Sequence, residues 1–158
     1  LSMVKVLFVC LGNICRSPMA EAIFNRQLKE RGLSAQIASD SAGTSRYHIG
    51  ADPDPRTIDC SITNNTPIDH KARQVRIEDF HEFDYVLAMD QNNYRDIAAV
   101  FKKEHPHFYL MREFDEQRDS LDVPDPYFGG MDGFQEVYDM LWRASDKLID
   151  SIAREKNL

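Results

Sequence analysis

The sequence has few cysteines, no long apolar run and no excess of positive charge, and each shortage excludes a class of protein. Three cysteines, Cys10, Cys15 and Cys60, are an odd number and too few for a disulfide scaffold. We therefore expect a reducing, cytoplasmic setting. Because there is no second cysteine pair, we expect no structural zinc site, and nothing in the composition indicates a cofactor.

Charge and hydropathy exclude two further classes. The 158 residues include 26 acidic and 19 basic side chains, and the net charge of −7 argues against a general binder of nucleic acid or anionic membranes. The longest apolar run near the start, residues 6–11, is far too short to span a bilayer and lacks the layout of a signal peptide. We interpret residues 1–2 as a cloning remnant and residues 1–158 as one domain without repeats or linkers.

Short apolar runs alternate with amphipathic segments along the chain. We predict strands at residues 5–9, 35–38, 84–89 and 107–111, and helices from Pro18 to about Gly32, over 56–64, from Asp90 to Phe101 and from Gly133 onward. Ser17 and Asp90 are the expected N-caps of two helices. The alternation predicts an α/β fold, a doubly wound, four-stranded parallel sheet with helices on both faces. Such sheets bind ligands at the carboxyl ends of their strands, where Cys10 lies.

The turn after the first strand reads CLGNICRS, from Cys10 to Ser17. Gly12 and Asn13 suit left-handed backbone angles, which would let successive amide groups point inward as an anion nest. The N-terminus of the following helix adds positive charge, and the planar fork of Arg16 can hold two oxygens of a tetrahedral dianion. The loop is therefore predicted to bind a phosphate group.

The same electropositive surroundings would act on Cys10. Helix N-termini and nearby cations favour the thiolate form of cysteine, so we expect Cys10 to be an activated nucleophile below the bound phosphorus. The alternative is an inert cysteine buried at a strand end, which is common for this residue type. Nucleotide P-loops and dinucleotide-binding loops are excluded, because the Gly-Lys-Ser/Thr ending and the third glycine are missing.

In its longer form, VCLGNICRSPMAE, this loop resembles the signature of the low-molecular-weight protein tyrosine phosphatase family. Five further segments occur in the family's order and spacing: SAGT at 41–44, DPR at 54–56, HKARQV at 70–75, FDYVLAMD at 83–90 and VPDPYFGG at 123–130. A Cys-x5-Arg loop alone is shared by several unrelated phosphatase folds, whereas the full set is highly specific. The resemblance covers nearly the whole chain and implies hydrolysis of phosphotyrosine and small aryl phosphates.

Three catalytic residues are implied by the resemblance. Cys10 would attack phosphorus to form a phosphocysteine intermediate, and Arg16 would bind the phosphoryl group. Asp125, within the long polar stretch 111–127, would protonate the leaving phenolate and then act as base for the attacking water. Without the resemblance, Asp125 could equally be one of several solvated acids in an acidic loop that is either functional or mobile.

Further site residues are implied in the same way. The supporting residues are Asn13, Ser41 and His70, which would hold the loop in shape, Ser17, which would stabilise the thiolate, and Asp90, which would orient Arg16. The phosphate-binding residues are Leu11, Gly12, Asn13, Ile14, Cys15 and Arg16, and the cleft walls are Leu11, Ile14, Tyr47, Tyr127 and Phe128. Tyr47 and Phe128 depart from the vertebrate pattern of Trp and a second Tyr, which bears on substrate preference. Cys15 would trap an oxidised Cys10 as a reversible disulfide, or would simply be packed.

The implied partners are phosphotyrosine-containing proteins and tetrahedral oxyanions such as phosphate, bound by a monomer that self-associates at most weakly. Three alternatives remain open: an arginine phosphatase or a thioredoxin-coupled arsenate reductase on the same fold, and a non-catalytic phosphotyrosine-binding module. Ile14 stands where arginine phosphatases tend to carry Thr, and the reductase needs two cysteines that residues 64–125 lack. Cys10, Arg16 and Asp125 together argue against the module.

Overall fold

Four parallel strands form the centre of the molecule, which a computed structural model describes over residues 3–158. The strands are β1 (Val4–Cys10), β2 (Ile37–Gly43), β3 (Tyr85–Ala88) and β4 (Phe108–Leu110), in the spatial order β2-β1-β3-β4. Every pairing is parallel, which confirms the predicted sheet. Leu1 and Ser2, interpreted above as a cloning remnant, lie outside the described residues.

Helices cover both faces of this sheet. They are α1 (Arg16–Glu30), α2 (Pro55–Thr63), α3 (Asp79–Glu82), α4 (Gln91–Phe101) and α5 (Met131–Lys156), with a short 3-10 helix at Met111–Phe114. None of the helices within residues 3–158 is long and apolar enough to cross a membrane.

Strand β1 is buried on both faces, which explains its continuous apolar sequence. Val6 and Phe8 belong to the core beneath α1 and α5, whereas Leu7 and Val9 belong to the core beneath α3 and α4. Successive side chains of a strand point to opposite faces, so one short run supplies both cores. The strand is thereby fixed in place, and its last residue, Cys10, is held at the carboxyl edge of the sheet.

Strand β2 lies further along the chain than the predicted 35–38. It extends to Gly43 through the polar residues Ser39, Asp40 and Ser41, which interrupt the apolar pattern used for the prediction. An edge strand tolerates polar side chains because one of its sides has no neighbour in the sheet. The four-residue helix α3 was not predicted; its buried first residue, Asp79, accepts a 3.0 Å hydrogen bond from Arg73, six residues earlier in the chain.

The helix caps are partly as predicted. Asp90 caps α4 by accepting a 2.7 Å hydrogen bond from the Asn93 amide, and Gly32, with φ of 70°, follows α1 as expected. The prediction that Ser17 caps α1 is wrong, because α1 begins at Arg16 and its N-cap residue, Cys15, makes no side-chain cap. The Ser17 hydroxyl instead lies 2.9 Å from the Cys10 sulfur.

The polar stretch between β4 and α5 is held by buried ion pairs. Asp115 is fully buried and accepts hydrogen bonds from Arg112 Nε at 3.2 Å and from Arg143 Nε at 3.0 Å. Arg112 also donates to the Asp122 carbonyl at 3.1 Å, and the Val123 amide donates to the Met89 carbonyl at 2.8 Å. These contacts fix the segment that leads to Asp125 against β3 and α5.

Asp115→Asn should therefore lower the free energy of unfolding by roughly 3–5 kcal/mol at neutral pH, because Arg112 stays buried, loses its buried counter-charge and keeps only the exposed Asp119. Burial alone would raise the pKa of Asp115, but hydrogen bonds from Arg143 and the Gln117 amide and the two arginine charges outweigh it and lower that pKa. The ionised carboxylate thus stabilises the fold above about pH 4, and this contribution is lost as the pH falls further. Urea unfolding at neutral and acid pH should show the difference between variant and wild type shrinking in acid.

Asp119→Asn is the matched control, since Asp119 pairs with the same Arg112 at 3.0 Å but is 87% exposed. An exposed pair contributes about 1 kcal/mol or less. Equal losses in the two variants would contradict the structural role given to Asp115.

Candidate active site

The loop between β1 and α1 turns its carbonyl groups outward. The carbonyls of Cys10 and Leu11 accept 2.9 Å hydrogen bonds from the amides of Thr44 and Ser45, and the Ile14 carbonyl accepts one of 2.8 Å from Asp54. Asn13 has φ of 57°, the left-handed conformation expected for it. Because these carbonyls accept hydrogen bonds from the surrounding chain, the peptide groups are oriented with their N–H bonds toward the inside of the loop.

These inward amides have no protein partner. Within residues 3–158, no hydrogen bond is donated by the backbone N–H of Gly12, Asn13, Ile14 or Cys15, although the last three residues are buried. Buried amides without a partner are rare and costly. Four such N–H groups beside the N-terminus of α1 form a nest of donors that is suited to an anion.

The thiol of Cys10 lies at the edge of this nest. Its sulfur is 2.9 Å from the Ser17 hydroxyl oxygen, which accepts a 2.8 Å hydrogen bond from Asn13 Nδ2. The hydroxyl proton has two acceptors within reach, the Cys10 sulfur and the Ala42 carbonyl at 3.4 Å, and the sulfur is the nearer of the two. A hydroxyl donor and the nearby charge of Arg16 both stabilise the thiolate form of a cysteine.

Asn13 is the centre of the support beneath the loop. Its Nδ2 also donates to Ser41 Oγ at 3.0 Å, and its Oδ1 accepts from His70 Nε2 at 2.8 Å and from the Arg73 amide at 2.9 Å. The structure therefore brings Ser17, Ser41 and His70 together around one side-chain amide.

Arg16 is almost fully buried and is oriented by two acceptors. Its Nη1 donates to Asp90 Oδ2 at 2.7 Å and to the Val123 carbonyl at 2.9 Å, so Asp90 both caps α4 and fixes the guanidinium. In the described part of the chain no hydrogen bond uses Nε or Nη2, and this edge remains available for a bidentate contact with an oxyanion.

Asp125 reaches the opposite wall from a different part of the chain. Its Oδ2 lies 3.7 Å from Arg16 Nη2, and its Oδ1 accepts a 3.1 Å hydrogen bond from the Tyr127 amide. Arg56, which sequence reasoning did not single out by itself, holds this loop through a 3.2 Å hydrogen bond to the Gly129 carbonyl and a cation–π contact with Tyr127. The carboxyl group is partly exposed and lies above the nest.

A cavity of about 180 Å³ opens over these groups. Its lining consists of Cys10, Leu11, Gly12, Ile14, Cys15, Arg16, His48, Asp125, Tyr127 and Phe128. Tyr47, which was predicted to be a wall of the cleft, is not among the lining residues, and it is 82% exposed. His48 lines the cavity instead, and a Cβ on Gly12 would lie 3.0 Å from its Cδ2. No feature of the sequence distinguishes His48 from its neighbour Tyr47.

The other two cysteines differ from Cys10 in their surroundings. Burial raises the pKa of Cys15 to about 12, although the Thr57 hydroxyl beside it acts in the opposite direction. Burial also raises the pKa of Cys60, which lies in α2 and does not line the cavity. Cys15 is therefore a neutral thiol at physiological pH.

Comparison with known proteins agrees with this geometry. The family described as low molecular weight phosphotyrosine protein phosphatase matches residues 5–158. The chain belongs to this family. A member from Schizosaccharomyces pombe, named low molecular weight phosphotyrosine protein phosphatase, is 43% identical over 95% of this chain and 97% of its own. Low molecular weight phosphotyrosine protein phosphatases are hydrolases of phosphate monoesters, and the chain is a protein tyrosine phosphatase of this kind.

Solved structures show the same fold. A protein tyrosine phosphatase from Entamoeba histolytica, with Hepes in the active site, has a TM-score of 0.94 and 38% identity, covering 97% of this chain and 99% of its own. An arginine phosphatase from Drosophila has a TM-score of 0.87 and 30% identity, covering 94% and 98%. The low-molecular-weight phosphatase fold thus occurs in proteins named for two different phosphoryl substrates.

Gly43→Ala should disrupt the phosphate loop without touching any of its side chains. A Cβ at Gly43 would lie 2.7 Å from the Leu11 carbonyl oxygen and 3.1 Å from the Asn13 amide nitrogen, which are backbone atoms that cannot move alone. We expect a loss of roughly 1–3 kcal/mol in stability and weaker binding of inorganic phosphate. Thermal unfolding with and without phosphate measures both effects.

Gly130→Ala provides the control, since a Cβ at Gly130 meets nothing within 4 Å. It should unfold like the wild type and be stabilised by phosphate to the same degree. Wild-type phosphate stabilisation in Gly43→Ala would contradict the close approach of β2 to the loop.

Proposed function

We propose that the chain hydrolyses phosphotyrosine in proteins through a phosphocysteine intermediate on Cys10. The observation that carries the proposal is the nest of buried, unpartnered amides beside the Cys10 thiol. Three non-bridging oxygens of a phosphoryl group would accept from these amides and from Arg16, which places phosphorus next to sulfur. The sulfur attacks phosphorus, the bond from phosphorus to the ester oxygen breaks, and the leaving phenolate takes its electron pair.

Asp125 is proposed as the proton donor to that phenolate. Its partly exposed carboxyl group lines the cavity on the far side of Arg16, where an ester oxygen directed away from the nest would lie. In the second step Asp125 would accept a proton from water, which attacks phosphorus and releases phosphate and the Cys10 thiolate. No metal ion or cofactor takes part in these steps.

The apolar part of the cavity supports an aryl substrate. Leu11 and Ile14 flank the nest, and the rings of Tyr127 and Phe128 meet edge to face with centroids 5.0 Å apart. Phe128 is 93% exposed, so a substrate ring entering between these walls would cover apolar surface. We propose His48, rather than Tyr47, as the wall residue on the side of Gly12.

A reducing compartment such as the cytoplasm is proposed as the site of action. Cys10, Cys15 and Cys60 are all free thiols in the structure, and the reaction requires a reduced Cys10. We propose a monomer as the working form, because residues of one chain complete the cavity. The proposed natural partners are phosphotyrosine-containing proteins.

Variants of the two reacting groups test the mechanism. Cys10→Ser should abolish turnover of p-nitrophenyl phosphate, because the hydroxyl is a far poorer nucleophile than a thiolate. Asp125→Asn should lower kcat by about 10²–10⁴-fold for esters with poor leaving groups and by less for p-nitrophenyl phosphate. The wild-type kcat/KM should follow a bell-shaped pH profile, since the reaction uses one group as a nucleophile and another as an acid.

Asp122→Asn is a control for the acid, since Asp122 belongs to the same loop but does not line the cavity. Full activity in both catalytic variants, or a rate that rises continuously to pH 9, would contradict the mechanism.

The substrate is tested by measuring the kcat/KM of the wild type for phosphotyrosine peptides and for phosphoarginine peptides, the two substrate types named among the structural relatives. We expect phosphotyrosine to be preferred. Binding of phosphotyrosine without turnover would indicate a binding module, and arsenate turnover with thioredoxin would indicate a reductase.

A protective role for Cys15 is proposed alongside the reaction. Peroxide would oxidise Cys10 to a sulfenic acid, and the Cys15 thiol would then displace water to form a Cys10–Cys15 disulfide. Both sulfurs line the same cavity. Because its pKa is raised, the Cys15 thiol stays neutral, and this also slows its attack on the sulfenic acid of Cys10.

Peroxide inactivation followed by dithiothreitol tests this role. Wild-type activity should return, whereas Cys15→Ser should recover far less because its sulfenic acid proceeds to the irreversible sulfinic acid. Cys60→Ser, which removes a cysteine outside the cavity, should recover like the wild type. Equal recovery in Cys15→Ser and the wild type would show that Cys15 is only packed.

A further inference from the structure

The loop that carries Asp125 has few contacts with the rest of the molecule. We call residues 125–130 the acid loop, and all but one of these six residues are exposed. Among residues 3–158, Arg56 is the only residue outside the acid loop whose side chain donates a hydrogen bond to it, from Nη1 to the Gly129 carbonyl at 3.2 Å. Exposed segments with few contacts open locally at a small cost in free energy, so this contact bears directly on the position of the acid.

The guanidinium of Arg56 also contacts two aromatic rings. Its Cζ is 4.7 Å from the ring centroid of Phe134, which is fully buried at the start of α5, and 5.4 Å from that of Tyr127. Both distances are within the range of cation–π contacts. The cation therefore links the acid loop to a ring of the buried core.

Tyr127 is also the residue that orients the acid. Its amide donates the hydrogen bond to Asp125 Oδ1 at 3.1 Å, which leaves Oδ2 facing Arg16. The distance of 3.7 Å from Oδ2 to Arg16 Nη2 is too long for a hydrogen bond. Arg56 therefore acts on the carboxyl group through Tyr127, without touching it.

Asp54 holds the opposite edge of the guanidinium. Arg56 Nε and Nη2 donate to Asp54 Oδ1 and Oδ2 at 3.1 and 3.0 Å, the bidentate geometry in which arginine binds a carboxylate. The side chain of Arg56, followed by its amide, lowers the pKa of Asp54 against the effect of burial. The pair is therefore ionised at neutral pH.

The same aspartate is attached to the phosphate loop. The backbone N–H of Asp54, the N-cap residue of α2, donates to the Ile14 carbonyl at 2.8 Å. Arg56 thus bridges the two halves of the site. Asp54 connects it to the loop suited to the phosphoryl group, and Tyr127 and Gly129 connect it to the acid loop.

We propose that Arg56 is a positioning residue for proton transfer, which fixes the acid loop so that Asp125 reaches the ester oxygen of a bound substrate. This role rests on the function proposed above for Asp125 as the proton donor. The proton passes from Asp125 to the ester oxygen as the bond to phosphorus breaks, and Arg56 touches no reacting atom. Displacement of a catalytic group by about 1 Å can cost roughly 100-fold in rate, so loss of the bridge should affect the substrates that need this proton.

Two leaving groups test the proposal, with kcat/KM as the measure of the steps up to release of the phenol. Arg56→Met removes the donors and the charge but keeps an apolar stem. It should lower kcat/KM by about 10–100-fold for phenyl phosphate, whose leaving group needs a proton. For 2,4-dinitrophenyl phosphate, whose phenolate leaves without a proton, the change should be less than about threefold. Arg56→Lys should behave like Arg56→Met, because an ammonium group lacks the planar fork that reaches both Asp54 and Gly129.

Combination with Asp125→Asn shows whether Arg56 acts through the acid. In that background Arg56→Met should lower kcat/KM for phenyl phosphate by no more than about twofold, because the group that it positions is gone. Hydrogen exchange gives a measurement that needs no turnover. Peptides that cover the acid loop should exchange faster in Arg56→Met than in the wild type.

Arg26→Met is the matched control. The side chains of Arg26 and Arg56 are 34% and 35% exposed, and Arg26 makes the same kinds of contact, a 2.7 Å hydrogen bond to the Asn64 carbonyl and a cation–π contact with Trp142. Arg26 does not line the cavity. Its loss should lower the melting temperature and leave both kcat/KM values and the exchange of the acid loop unchanged.

Thermal unfolding establishes that each variant is folded, and Arg56→Lys, which keeps the charge beside Asp54, is the variant less prone to misfold. Equal losses for the two esters in Arg56→Met, an undiminished loss in the Asp125→Asn background, wild-type behaviour of Arg56→Lys or unchanged exchange of the acid loop would each overturn the proposal. Equal effects of Asp125→Asn alone on the two esters would contradict the proposed function itself. The exchange measurement would then still decide whether Arg56 fixes the acid loop.

Discussion

The structure around the candidate site depends on the hydrogen bonds of one side-chain amide, that of Asn13. A primary amide can donate two hydrogen bonds and accept two, and Asn13 makes all four within 3.0 Å. Its partners are Ser17, Ser41, His70 and the Arg73 backbone. Because these partners belong to α1, β2 and the segment after α2, one residue fixes the loop against three other parts of the fold.

The conformation that Asn13 adopts explains the reactive geometry. With φ of 57°, its backbone turns so that neighbouring carbonyls bond to surrounding segments and neighbouring amides point inward. Such an arrangement is unfavourable in isolation, since it leaves buried donors without acceptors. The fold stabilises it through the two apolar cores that anchor β1 and through the ion pairs that fix the Asp125 segment. A bound oxyanion would supply the missing acceptors.

Much of this could be predicted from the sequence because the signals were local. The apolar run of β1, the Gly12–Asn13 pair and Arg16 lie within a dozen residues, and their spacing indicated a strand, a turn and an anion site. Asp125 and the supporting residues required the resemblance to a family, because only the fold brings them near Cys10. Local propensity rules failed where contacts in the folded protein determined the outcome. Ser17 has the sequence of an N-cap, yet its hydroxyl faces the thiol because Asn13 occupies the other side. Likewise, β2 extends beyond its predicted bounds, because its polar residues interrupt the apolar pattern on which the prediction was based. No feature of the sequence indicates the contact between Glu21 and His70.

The proposed mechanism depends on which atom carries the phosphoryl group during turnover. Rapid denaturing quench of the wild-type enzyme at saturating p-nitrophenyl phosphate, followed by peptide mass spectrometry, identifies that atom. The mechanism predicts one phosphoryl group on the peptide that contains Cys10, located on Cys10 itself. A phosphoryl group on another side chain, or none on the enzyme during rapid hydrolysis, would contradict it.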